Sequence, residues 1–406
     1  MYPVYSLLFA DAGLSPARIS SLFVLWSVTG MVLEIPSGVL ADLCSRRLLV
    51  SCAPLLSAAG FGLWTFAPGY ASFAAGFVLW GAGAAMRSGA LEALVYSELA
   101  HIAGRPAAPG RAGAAHPDGD PGFRAPGGQA ADTWVSETYT RLIGRSRAAA
   151  TTAIMVASVA AIPVLGAGGY TAAGAASVLA ALACALAGRS LPAEGEHARR
   201  TAARRAAHGR RRPRRSLRWA AASAAAVSRG ALAEVRASPA ARRALLTLGL
   251  LVGVSGAMDE YLPLLARSTG LSTPAVPLAL LVVSAGTVVG GWLAGRRTRS
   301  TAPALVAAGC CMAVGALVGH PAGLVLLAVT FGVSEWAGAA AEARLQDSVG
   351  EDARATVSSL GGFGAEAVTV LVYAGYALGS VWLAPAALFA LAALAYPGAA
   401  RALRGG

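Results

Sequence analysis

The sequence predicts an all-α, polytopic membrane protein of two six-helix halves, twelve spans with the first incomplete. Three observations lead there. Of 406 residues, 56% are hydrophobic and only 13% charged, with a mean hydropathy of +0.59; a soluble domain carries about 25% charge. One water-soluble core cannot bury so much apolar surface, whereas a bilayer can. Long apolar runs also recur along the whole chain. Finally, the turn Gly38-Val39-Leu40-Ala41-Asp42-Leu43-Cys44-Ser45-Arg46-Arg47 returns 253 residues later as a worn copy, Gly291-Trp292-Leu293-Ala294-Gly295-Arg296-Arg297. A repeated, glycine-tight turn in so apolar a chain points to duplication.

A helix needs about 20 apolar residues to cross roughly 30 Å of hydrocarbon. Eleven runs meet this, near 19–41, 48–67, 70–99, 148–165, 170–187, 244–266, 275–294, 302–318, 322–343, 356–378 and 381–399. Gly375, Gly379 and Pro385 blur the break before the last one. The stretch from Met1 to Ala10 is apolar and ends in the turn Asp11-Ala12-Gly13-Leu14-Ser15-Pro16. At about 1.5 Å per residue it covers half a bilayer. It has no basic n-region and no cleavage signal. It reads as the outer half of a first helix, the inner half lost to a late start, with a re-entrant or interfacial segment as the alternative.

Charge orients these spans. All basic side chains are Arg, 33 of them, and the net charge is +13. They collect in alternating loops: 43–47, 100–147, 189–243, 296–299, 344–354 and the C-terminal tail. The opposite loops hold only Arg18 and Arg267, and Arg87 lies inside a span. The arginine-rich side is therefore expected to be cytoplasmic, with both termini on it. The Ala, Gly and Arg usage resembles that of GC-rich bacterial genomes, so a bacterial cytoplasmic membrane is expected.

The expected units are 1–188, a first bundle; 189–243, a basic cytoplasmic linker; and 244–406, a second bundle. Residues 101–131, rich in Pro, Gly and Ala, read as a disordered cytoplasmic insertion. The linker holds 15 Arg against three acids, with Trp219 as its only aromatic. That pattern favours contact with anionic lipid headgroups over nucleic acid. Within it Leu217, Ala221, Ala224, Val227, Ala231 and Val235 fall on one face, as in an interfacial helix.

Several chemistries are excluded. With no Lys there is no P-loop. Cys44, Cys52, Cys184, Cys310 and Cys311 form no CxxC pair, and the five His lack metal-ligand spacing. Neither HExxH nor GxSxG occurs. No enzyme, metal or cofactor is expected, and a monomer is.

The turn makes a family match specific. Gly38, Ala41, Asp42, Arg46 and Arg47 resemble the Gly-x-Leu-Ala-Asp-x-x-x-Arg-Arg signature of the major facilitator superfamily of secondary transporters, between helices two and three. Gly291 to Arg297 falls where that family carries a degenerate second copy, with Gly295 in place of the acid. Gly89-Ala90-Leu91-Glu92-Ala93 likewise resembles Gly338-Ala339-Ala340-Ala341-Glu342-Ala343. Two signatures are not met. The fourth-helix arginine position holds Val78, before Gly81-x-Gly83-x-Ala85, and the antiporter pattern of the fifth helix fails across Pro163 to Gly169. The resemblance implies two bundles rocking around a midplane site. It also implies a conformational latch built from Gly38, Asp42, Arg46 and Arg47 with Gly291, Arg296 and Arg297.

Ionisable residues at membrane depth are costly and therefore functional candidates. Glu366 lies about 18 Å of helix past Arg354, and Arg87 roughly 16 Å before Glu98. Asp259 and Glu260 sit in the outer half of the seventh span, Glu335 in the tenth, and Glu34 two turns from Asp42. Structural pairing within a bundle is the alternative for each. A carboxyl in low dielectric holds its proton and releases it when the cavity opens. The expected function is secondary active transport of a small molecule, proton-coupled, with export of amphipathic compounds one form of it. An uncoupled facilitator and a non-transporting receptor or scaffold are the alternatives.

Overall fold

The computed structural model describes residues 4–43, 45–102, 126–191, 238–294, 301–347 and 354–404. Helices account for nearly all of them: α1 (Tyr5–Asp11), α2 (Pro16–Leu43), α3 (Arg46–Phe66), α4 (Tyr70–Ile102) and α5 (Pro126–Arg189), then α6 (Pro239–Ser268), α7 (Val276–Leu293), α8 (Thr301–Leu317), α9 (Gly323–Asp347), α10 (Arg354–Gly379), α11 (Pro385–Ala392) and α12 (Ala395–Arg404). Among the described residues, eight helices are long and apolar enough to cross a membrane. Exposed Leu179, Leu186, Leu371, Leu378, Trp292 and Trp382 cover their outer surfaces with apolar side chains. This is a multi-pass membrane protein.

Local chemistry sets the breaks. The helix α5 contains two of the expected spans, folded back at Gly168 (φ −145°) and Gly169 (φ +56°). Gly169 needs a left-handed backbone that a Cβ would strain. Pro385 opens α11 at a position where its missing N–H leaves no helical bond unmade. α11 and α12 together take the place of the twelfth span. In the seven-residue α1, Tyr5 to Phe9 are buried, and Tyr5 and Phe9 pack on Phe23, Trp64, Phe73 and Phe77.

Within each half, small residues bring helices together. On α7, Gly286 and Gly290 face Ala328 and Gly332 of α9. A Cβ at Gly290 would collide with the Gly332 carbonyl, and one at Gly332 would lie 2.6 Å from the Gly286 oxygen. This is the small-xxx-small crossing of membrane helices, where packing rather than water drives association. In the first half, a Cβ on Gly83 would lie 2.7 Å from the Ala53 carbonyl, setting α4 against α3.

The two halves, α1–α5 and α6–α12, meet unevenly. On the side of Asp11, one continuous core joins them, running from Phe9, Phe23, Trp64 and Phe77 to Tyr261, Leu265, Tyr373 and Tyr376. On the arginine-rich side, two further clusters of described residues each lie within one half. One cluster (Leu49, Val50, Ala90) belongs to the first half, and another (Ala241, Ala244, Leu248, Ala341, Leu345, Val357) to the second. Helices α2 with α10, α5 with α7, and α1 with α6 form the junction. The linker residues 192–237, including the expected interfacial helix, lie outside the described residues, as do 103–125 of the insertion.

Candidate functional site

Beside the joined core, a cleft opens between the halves. Tyr5 and Ser6 of α1 and Ile154 and Ser158 of α5 form one wall. Asp259, Glu260, Leu262 and Pro263 of α6, with Leu280 and Ser284 of α7, form the other. Two carboxylates thus meet three serine hydroxyls among apolar side chains around a cavity of about 50 Å³. Pro263 has no N–H for the Asp259 carbonyl one turn earlier, so the helix ladder is interrupted at this wall.

A cluster of tyrosines packs on the same stretch of α6. Tyr261, one residue beyond Glu260, stacks on Tyr376 with ring centroids 3.6 Å apart and planes 6° from parallel. Tyr373 meets Tyr261 edge-on at 5.9 Å. Phe23 of α2 touches both, at 5.4 and 5.3 Å. The hydroxyls of Ser20 and Tyr261 hydrogen-bond across the halves at 2.6 Å. The Tyr376 hydroxyl is buried with no hydrogen-bond partner. Glu260, Glu366 and Asp259 all lie within electrostatic range of Tyr373. Three of the acids picked from sequence therefore share one neighbourhood, drawn from α6 and α10.

The remaining candidates lie apart from it. Arg87 is mid-helix in α4 and exposed, and Glu34 is exposed on α2. Glu335, on α9, is exposed too, beside Gly291: a Cβ there would lie 3.9 Å from its Cγ.

The signature turn is split by secondary structure. Gly38 and Asp42 occupy the last turns of α2, and Arg46 and Arg47 open α3. Arg47 donates to the Arg189 carbonyl at the end of α5, where a cation satisfies an orphan acceptor and the helix dipole. This contact lies within the first half, so Arg47 braces its own bundle. Arg296 and Arg297 lie outside the described residues, as do the side chains of Gly38 and Asp42.

Sequence reasoning missed a contact on the opposite side. Asp11, closing α1, forms an ion pair with Arg267 in the last turn of α6, and its second oxygen accepts from the Tyr170 hydroxyl at 2.6 Å. The available signal was scarcity: Arg267 is one of two arginines in the loops of that side.

No protein-family model matches the sequence, and no curated relative was found. Two solved structures resemble it along almost its whole length, both of the nucleoside transporter NupG. The form with an aspartate-to-alanine substitution superposes with a TM-score of 0.61 at 10% identity, over 98% of this chain and 93% of that one. The other gives 0.60 at 12%, over 98% and 92%. Likeness at such identity speaks for architecture rather than substrate. The chain shares the overall fold of these two transporter structures.

Proposed function

We propose that this protein is a secondary active transporter that carries a small molecule through the cleft by alternating access, coupled to protons. The observation behind this reading is the uneven junction: one core joining the halves on the Asp11 side, separate clusters among the described residues on the other, and a carboxylate-lined cleft between the halves. Rocking the halves would exchange which side is joined. With the arginine-rich side cytoplasmic, in a bacterial cytoplasmic membrane with both termini inside, the described conformation faces inward. The signature turn then acts as the inner latch, engaged when that side closes. The basic linker lies along anionic headgroups, and the unit of transport is the monomer.

Glu260, Asp259 and Glu366 are the proton carriers in this scheme; Arg87, Glu335 and Glu34 line the path to the cytoplasm. Because NupG is a nucleoside transporter, nucleosides are the first compounds to assay, beside amphipathic drugs. The test is flux into proteoliposomes with and without an imposed pH gradient. Glu366→Gln should abolish gradient-driven accumulation and leave counterflow exchange intact. Unaltered uphill transport in that variant would sink the coupling role, and flux indifferent to the gradient in the unmodified protein would favour an uncoupled facilitator.

A further inference from the structure

We propose that Asp11 and Arg267 form the gate that seals the cleft on the Asp11 side, with Tyr170 positioning Asp11 and the Ser20–Tyr261 hydrogen bond as a second layer beneath. This rests on the alternating-access reading, because a gate has meaning only if the halves part.

The geometry divides the work between the halves. Asp11 and Tyr170 both belong to the first half, and their 2.6 Å hydrogen bond fixes one carboxylate oxygen. The other oxygen is presented across the junction to Arg267. Arg267 sits in the last turn of α6, where the helix dipole favours a cation. Their side chains are 40% (Arg267) and 32% (Asp11) exposed. A pair so wet can separate without stranding a charge in a dry interior, which suits a contact that must break in every cycle.

The second layer lies on the same helix. Tyr261 precedes Arg267 by six residues, about 9 Å along the axis. It is buried, bonded to Ser20 of α2 and packed on Phe23 of the same helix. One residue further in is Glu260, which lines the cleft with Asp259, Leu262 and Pro263. Ion pair, aromatic layer and carboxylates therefore follow one another down α6.

The test uses spin labels at Ala12→Cys and Ser268→Cys, both exposed and on opposite sides of the junction, in a chain whose five native cysteines are replaced by alanine. Pulsed electron resonance reads the ratio of long to short separations in reconstituted protein. Asp11→Asn and Arg267→Gln should each raise that ratio about two- to fivefold, the scale of a half-exposed ion pair. Tyr170→Phe should raise it less. The exchange Asp11→Arg with Arg267→Asp should restore it to within about twofold, which a merely misfolded variant would not do. Distances unmoved by the single changes, or an exchange no better than either, would overturn the proposal. A ratio that responds while no compound is carried would uphold the gate and defeat the transport reading.

Discussion

Gly332→Ala probes the α7–α9 crossing that holds the cleft's second wall. A Cβ at Gly332 would sit 2.6 Å from the Gly286 oxygen and 3.1 Å from its carbonyl carbon, against 3.4 Å for ordinary contact. The helices must part by ~0.8 Å, and interiors packed to crystal density do not yield that freely. Overpacking of this kind costs about 1–3 kcal/mol, and inside a bilayer no hydrophobic force pulls the helices back. Alanine also regains up to about 1 kcal/mol of helix propensity over glycine. Gly362→Ala on α10 is the control, because a Cβ there meets nothing within 4 Å and gains the same propensity. In detergent, Gly332→Ala should melt below Gly362→Ala by about 2–4 °C for each kcal/mol, the slope for a domain of roughly this half's size. Ser284 lies on the displaced helix, so substrate affinity should fall as well. Equal melting temperatures would refute the reasoning.

Other changes test other parts. Tyr376→Phe removes a buried hydroxyl with no partner, so thermal melting should show no loss, whereas Tyr261→Phe breaks the bond to Ser20 and should cost about 0.5–1.5 kcal/mol. Asp42→Asn should slow flux far more than any substitution at Gly295, since the second copy of the turn lacks the acid; equal losses would count against the latch. Trp64→Phe deletes the 3.0 Å bond from its indole to the buried Phe73 carbonyl and should destabilise the first bundle by about 1–3 kcal/mol, read by the same melts.

Much of the fold was legible because the bilayer writes it into hydropathy. The span break at Gly168–Gly169 and the helix start at Pro385 follow from residues whose backbone preferences act locally. The site was legible only in part. Depth along a helix can be counted, and that put Glu366 and Arg87 deep in their spans and Asp259 and Glu260 in the outer half of theirs. Which face turns inward depends on neighbours hundreds of residues away, and so Glu335 and Glu34 came to lie apart from the cleft. The Asp11–Arg267 pair joins residues 256 apart that carry no motif. Only their rarity on that side marks them. Arg47 shows the converse: its family signature was plain, yet its observed bond goes to a carbonyl of its own half.

The order of residues along α6 has a mechanical consequence. Arg267, Tyr261, Glu260 and Asp259 ride on one helical rod, α6, which keeps its helical course past Pro263 and is tied to α10 where Gly253 nests against Ala365. A tilt of that rod large enough to withdraw Arg267 from Asp11 must also carry the two acids into new surroundings. Opening the barrier and changing the carboxylates' environment become a single event rather than two that need synchronising. In the proton-coupled cycle proposed above, a machine wired in this way has little opportunity to slip, discharging the gradient without cargo.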